Sequence, residues 1–169
     1  MNEAITHVVL PGTYDPVTLG HLDVMRRALR LFPKVTIGVA ASRSKRGVGT
    51  AFSLEERVRL IELSLAELGM EDVDVLPFEG LLVDFCHSIG AGGVVKGLRA
   101  MTDFEFELQQ ADLNAHLSPD IESVFVMASP SYGYVSSSIV RELASLGSPV
   151  AGLVPQCVET RLRELYRDR

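Results

Sequence analysis

Four short segments of this chain combine cations, hydroxyls and small residues in ways that suit a phosphate. The first is Pro11-Gly12-Thr13-Tyr14-Asp15-Pro16-Val17-Thr18-Leu19-Gly20-His21. Gly12 permits a tight turn, and Gly20 permits close approach of a ligand to the backbone. His21 falls at the start of a helix, where free N–H groups and the helix dipole favour an anion. An imidazole beside backbone donors suits nucleotidyl transfer, although a glycine-rich turn with a capping histidine fits the same residues. The second segment, Ser42-Arg43-Ser44-Lys45-Arg46, carries three cations that could hold phosphates or simply face solvent. The third, Lys96-Gly97-Leu98-Arg99, places a glycine between two cations, and an arginine can grip an anion with two parallel bonds. The fourth contains Tyr132, Gly133, Tyr134, Val135, Ser136, Ser137 and Ser138, then Ile139-Val140-Arg141. Its serines and first-turn amides can receive a β,γ-phosphate, and an aromatic can lie on a purine. Alone, each segment has a plain reading as a turn, a solvated loop or a helix cap; together they form a stronger set.

Each of the four follows an apolar run that reads as a strand. Val8 to Leu10, Val35 to Ala41, Val73 to Leu76, Val94 to Lys96 and Ser123 to Met127 predict five strands. Between them, helical spacing predicts helices over His21 to Leu31, from Ser53 to Leu68, over Leu82 to Ile89, and from Thr102 to about Leu117. Ser53 with Glu56, and Thr102 with Glu105, have capping-box spacing. The apolar stripe of the second helix reads as Leu54, Val58, Ile61, Leu65 and Leu68. Two more helices follow, Ser136 to Leu146 and Val158 to Tyr166. Alternating strands and helices predict an α/β fold: a Rossmann-like, doubly wound, parallel five-stranded sheet with helices on both faces. Ligands of such sheets bind at the carboxyl ends of the strands, near a topological switch point. That is where the four segments fall. Residues 1–169 read as a single domain, onto which the helices from about residue 136 pack.

Composition narrows the classes of function. The 169 residues carry a net charge of −6, which argues against a nucleic-acid partner but leaves room for a local basic pocket. No apolar run approaches the roughly 20 residues that span a bilayer, so no membrane partner is expected. The polar stretch from Met1 to Thr6 does not read as a signal peptide. Cys86 and Cys157 have no metal-ligand spacing and read as reduced thiols of a cytoplasmic protein. There is no Walker A sequence and no G-x-G-x-x-G after the first strand, which argues against a P-loop ATPase and an NAD-type enzyme.

Taken together, the motifs resemble a known family. Thr18-Leu19-Gly20-His21 resembles the HxGH signature of the nucleotidyltransferase superfamily, with threonine in first position. Val135 to Arg141 is similar to that superfamily's second signature. Pro11 to Pro16, Lys96 to Arg99 and Asp103-Phe104-Glu105-Phe106-Glu107 narrow the resemblance to bacterial phosphopantetheine adenylyltransferases, over about Val8 to Pro155. The resemblance implies Mg·ATP and 4′-phosphopantetheine as substrates, dephospho-coenzyme A as product, and a homohexamer. It implies that His21 stabilises the transition state, with Thr13, Lys45 and Arg99 also in the catalytic set. Thr13, Lys45, Leu82 and Lys96 are implied to bind the acceptor. Thr13, Tyr14, His21, Gly97, Leu98, Arg99, Glu107 and Tyr132 to Ser138 are implied to bind ATP. No protein metal cage is expected, because Mg²⁺ is held mainly by ATP phosphates and water. Lys96 stands where many members carry Arg, Phe106 where Tyr is frequent, and Tyr132-Gly133-Tyr134 in place of Trp-Ser-Phe.

The chemistry expected is direct in-line attack. A phosphate monoester has a second pKa of about 6 and needs no general base near neutral pH. The site must bring two anions together and stabilise charge at the α-phosphorus. Three other readings compete. One is a transferase acting on nicotinate mononucleotide, or on a small alcohol phosphate with CTP; a second is an ATP-binding module without turnover; a third is a fragment of a class I aminoacyl-tRNA synthetase.

Overall fold

Val8, Val9 and Leu10 are all buried, although successive strand residues point to opposite faces. Both faces of their strand are therefore covered, as in a central strand of a parallel α/β sheet. The computed structural model describes residues 4–41, 50–70, 72–99 and 101–167. Among them, the strands β1 (His7–Gly12), β2 (Lys34–Ala40), β3 (Asp74–Phe78), β4 (Gly93–Leu98) and β5 (Glu122–Met127) form one sheet. Their order is β3-β2-β1-β4-β5, and all pairings are parallel. The helices are α1 (Leu19–Leu31), α2 (Leu54–Glu67), α3 (Leu82–Ser88), α4 (Met101–Leu117), α5 (Ser137–Ser145) and α6 (Gln156–Tyr166), with a 3₁₀ turn at Pro130–Tyr132.

The chain builds outward from β1 to β3, then crosses back to β4 and β5. Right-handed crossovers put α1 and α2 on one face and α3 and α4 on the other. Packing agrees. Val8 and Leu10 join the larger apolar cluster with Met25 of α1 and Ile61 of α2, whereas Val9 joins a smaller one with Val83 and Cys86 of α3. Helices α5 and α6 add Val140, Val158 and Leu162 to the larger cluster. Cys86 and Cys157 are free thiols.

The reversal of direction lies between β1 and β4, and there the ladder is short. These strands pair only at Val8–Gly93 and Val9–Val94, whereas β1 and β2 stay paired through Gly12–Val39. Pro11 contributes no N–H to either neighbour. Beyond Val9 and Val94 the two strands leave a crevice at their carboxyl ends.

Three local expectations change. Helix α1 opens at Leu19, two residues early, because Thr18 caps it. Helix α4 opens at Met101, so Thr102 lies inside the helix and not at its first residue. Helix α2 is capped by Ser53 with Glu56 as expected, but its buried face is Arg57, Leu60, Ile61, Ser64 and Leu65. Leu54 and Val58 are half-buried and Leu68 is exposed, so the stripe is rotated from the apolar one and includes a cation.

Candidate active site

The crevice between β1 and β4 is a cleft of about 380 Å³, within the size range of small-molecule sites. Its lining brings together Tyr14, His21, Lys96, Gly97, Arg99, Glu107, Tyr132, Val135, Ser136, Ser137 and Ser138, eleven positions that the sequence singles out. Leu98 ends β4 with its side chain buried, outside this lining. Thr13 is exposed at the end of β1, Leu82 begins α3 beside the smaller apolar cluster, and Gly133 and Tyr134 are exposed in the turn before α5. Those four are also outside the lining. Lys45, with its neighbours Ser42 to Arg46, lies outside the described residues.

His21 occupies the third position of α1 and completes a reciprocal cap. The Thr18 side chain accepts the His21 N–H at 3.3 Å, and His21 Nδ1 accepts the Thr18 N–H at 3.0 Å. A backbone N–H can only donate, so Nδ1 carries no proton and the neutral ring holds its proton on Nε2. Burial, with the Arg99 charge adding to it, brings the pKa of this imidazole down to about 4. His21 is therefore a neutral N–H donor at neutral pH. The capping and chemical readings of this histidine are compatible, because the cap fixes the tautomer and aims the donor.

Tyr14 supports the ring. Its φ is +50°, a region costly for a bulky side chain and one that must be held by its surroundings. The hydroxyl donates to the Leu10 carbonyl at 2.9 Å, and the ring meets His21 edge-on with centroids 5.0 Å apart. Burial pushes the phenol pKa upward, keeping it neutral. Gly12 serves this packing and not a turn: a Cβ there would lie 2.8 Å from the Tyr14 ring. At Gly97 a Cβ would lie 2.8 Å from Val24, so this glycine lets α1 approach β4.

The cations of the third segment are already engaged. Lys96 Nζ lies 3.0 Å from the Glu107 carboxylate. Arg99 donates to both oxygens of Asp103, at 3.0 and 3.3 Å, and to the Val135 carbonyl at 3.0 Å. Asp103 and Glu107 are four residues apart, on one side of α4. At α5, Ser136 caps the helix through the Ile139 N–H, and Ser137 donates to the Pro16 carbonyl at 2.8 Å, which ties the two helix mouths together. The side chains of Ser136 and Ser137 are thus committed to structure. Gly20, Ser137 and Ser138 line the cleft in the first turns of α1 and α5, where amides have no intrahelical acceptor.

Behind the cleft lies a network that the sequence analysis did not single out. Asp15 is buried, and its carboxylate accepts the N–H groups of Ala51 at 2.8 Å and Phe52 at 2.9 Å. Arg141 donates to the Asp15 carbonyl. Arg57 is 2% exposed and donates to the carbonyls of Thr13 and Ala40. The available signal was the position of Arg57, three residues after Leu54 and four before Ile61, on a stripe that should be apolar.

Comparison with known proteins agrees with this geometry. The cytidylyltransferase-like family model matches residues 9–143. The phosphopantetheine adenylyltransferase of Moorella thermoacetica is 48% identical over 158 residues, covering 94% of this chain and 96% of the relative. The chain belongs to the phosphopantetheine adenylyltransferase family. Another phosphopantetheine adenylyltransferase, from Rubrobacter xylanophilus, is also 48% identical, covering 94% of this chain and 93% of its own. Beyond the adenylyltransferase family, the fold extends to the bifunctional NMN adenylyltransferase/ADP ribose pyrophosphatase of Francisella tularensis. Its TM-score is 0.70 at 16% identity, over 98% of this chain and 52% of that one. This chain spans about half of the Francisella protein, and the likeness is one of fold.

Proposed function

We propose that this chain transfers AMP from ATP to 4′-phosphopantetheine, releasing pyrophosphate and dephospho-coenzyme A, the fourth step of coenzyme A biosynthesis. The observation that carries this reading is the neutral Nε2 donor of His21, held at the mouth of α1 in a cleft at the topological switch point. The acceptor phosphate, largely dianionic above its second pKa of about 6, attacks the α-phosphorus in line with departing pyrophosphate. Its oxygen forms the new P–O bond as the bond to pyrophosphate breaks, and no general base is needed. His21 Nε2–H and the Gly20 amide stabilise the charge that develops on the α-phosphoryl oxygens. Lys96 and Arg99 offset repulsion between the two anions, and the amides of Ser137 and Ser138 receive the β,γ-phosphates. We assign Thr13, Lys45, Leu82 and Lys96 to the acceptor, following the family resemblance. ATP is assigned to Thr13, Tyr14, Gly97, Leu98, Arg99, Glu107 and Tyr132 to Ser138.

The carboxylates of the lining, Asp103 and Glu107, are engaged by Arg99 and Lys96. The lining therefore suits a magnesium ion held by nucleotide phosphates and water better than one in a protein cage. Bound in that way, Mg²⁺ supplies charge neutralisation across the phosphates. We further propose a homohexamer. Helix α4 leaves Phe106, Leu113 and Leu117 more than half exposed, which favours a partner copy over solvent. Light scattering at the mass of six chains is the expected result, and a monomer mass would reject it. The free thiols Cys86 and Cys157 support a cytoplasmic site of action.

The test is pyrophosphate release with Mg·ATP and either 4′-phosphopantetheine or nicotinate mononucleotide, for the wild type and His21→Ala. Release with phosphopantetheine alone, reduced by about 10²–10³ in the variant, is expected from loss of one transition-state donor. Release with nicotinate mononucleotide instead overturns the acceptor. ATP binding without release overturns the enzyme reading in favour of a nucleotide-binding module.

A further inference from the structure

The paired stretch of β1 and β2 ends at Gly12 and Val39, and the next residues are Thr13 and Ala40. Arg57 Nη1 donates to both of their carbonyls, at 2.6 Å to Thr13 and 2.9 Å to Ala40. One nitrogen on α2 thus replaces the next rung of the ladder at the ligand end of the sheet. We propose that Arg57, which lies outside the cleft lining, is a positioning residue for the acceptor half of the site, fixing Thr13 by clamping the ends of β1 and β2. The proposal rests on the adenylyl-transfer reading above.

Three observations carry it. First, the guanidinium is buried, and its Nε has no hydrogen-bond partner among the described residues. Burying a cation with incomplete pairing costs stability that an apolar side chain of similar volume avoids. Filling space therefore does not explain an arginine here. Second, the adjacent Asp15 cannot serve as a simple counter-ion that moves with it. Both of its carboxylate oxygens are bound to the N–H groups of Ala51 and Phe52, just ahead of α2. Arg57 and Asp15 together fix the end of β1, the end of β2 and the entry to α2 as one rigid body. Third, Thr13, assigned to both substrates, is one of few described contacts for the acceptor but one of many for ATP, whose phosphates also meet Arg99, just after β4, and Ser137 and Ser138 on α5. A fault at the end of β1 and β2 should therefore reach the acceptor before it reaches ATP. A positive charge beneath Thr13 also raises the local potential for an incoming phosphate dianion.

The experiment compares wild type, Arg57→Lys and Arg57→Met in steady-state pyrophosphate release, with ATP affinity by calorimetry and thermal unfolding as a fold control. Lysine keeps the charge and loses the planar fork; methionine keeps volume and loses both. The expected result is an acceptor KM raised about 10-fold or more in Arg57→Met, with ATP Kd within about threefold of wild type. Arg57→Lys should fall between wild type and Arg57→Met. Equal shifts in acceptor KM and ATP Kd, or no shift in either, overturn the proposal. If Arg57→Met does not fold, the lysine variant decides alone: a selective rise in acceptor KM supports positioning, and wild-type constants reject it. A wild type that binds ATP but does not use phosphopantetheine overturns the underlying reaction and the proposal with it, whereas wild-type turnover with unselective variants overturns the proposal alone.

Discussion

The two sides of the cleft hold their cations in opposite ways. On the β4 side, Lys96 and Arg99 are partly exposed and, apart from one Arg99 bond to the Val135 carbonyl, paired with the carboxylates of Glu107 and Asp103, groups that an incoming phosphate can displace. On the β1–β2 side, Arg57 is buried and bonded to main-chain carbonyls, and Asp15 is bonded to main-chain amides. Apart from the Arg141 guanidinium, 3.7 Å from the Asp15 carboxylate, nothing there can be exchanged without moving the backbone. The difference separates two tasks. A nucleotide that must enter and leave meets charges whose present partners are replaceable, and the in-line geometry is kept by charges that have become part of the chain trace.

The largest effect that would break this comparison belongs to the fixed side. Asp15→Ala strands two amides, breaks the pair with Arg141 and removes the acidic group that acts on Arg57, so it should cost about 3–5 kcal/mol, read by urea unfolding. A cost near that of a surface pair, below about 1 kcal/mol, would erase the distinction. Next comes His21, whose Nδ1 is bound to the Thr18 N–H at the mouth of α1. Its resonance should titrate near pH 4 in NMR, with Nδ1 unprotonated above that pH. The unfolded chain takes up a proton at about 6.5, before the folded one does, so this group makes stability rise with pH between about 4 and 6.5 and adds nothing further above that window. A titration near 6.5 would remove the neutral donor. The same lowered value sharpens the reading of the pH–rate profile: the acid limb should fall near pH 6, with the acceptor phosphate, and not near 4. The smallest effect is expected on the exchangeable side. Asp103→Asn should change stability by less than about 1 kcal/mol and tighten ATP binding a few-fold at low salt, with the gain shrinking at high salt. Weaker ATP binding would mean that Asp103 orients Arg99 and does not compete for it.

Much of the architecture was legible because local signals agreed. Apolar runs marked β1 to β5, and Ser53 with Glu56 marked the start of α2. The alternation of strand and helix led to the doubly wound sheet, and eleven singled-out positions converged on one cleft. What escaped was of two kinds. The buried face of α2 shares Ile61 and Leu65 with its apolar stripe but is turned from it toward Arg57, because a pattern of apolar residues does not register a buried arginine. The bonds of Asp15 to Ala51 and Phe52, and of Arg57 to Thr13, join residues 36 to 44 positions apart. Contacts at such separations leave no periodic trace. The engagement of Arg99 by Asp103, by contrast, spans only four positions, a spacing the sequence displays, whereas the Arg99 bond to Val135 spans 36.

The short pairing of β1 with β4 has a consequence for cooperativity. The sheet consists of two leaves, β3-β2-β1 and β4-β5, whose shared ladder covers two register positions. Substrates held by Thr13 at the end of β1 and by Lys96 and Arg99 at the end of β4 would close the gap as a temporary set of rungs. Amides near that seam should then exchange with solvent more slowly when both substrates are bound than with either alone. Each substrate would arrive at a scaffold that the other has stiffened, so part of their mutual affinity would be stored in the sheet itself.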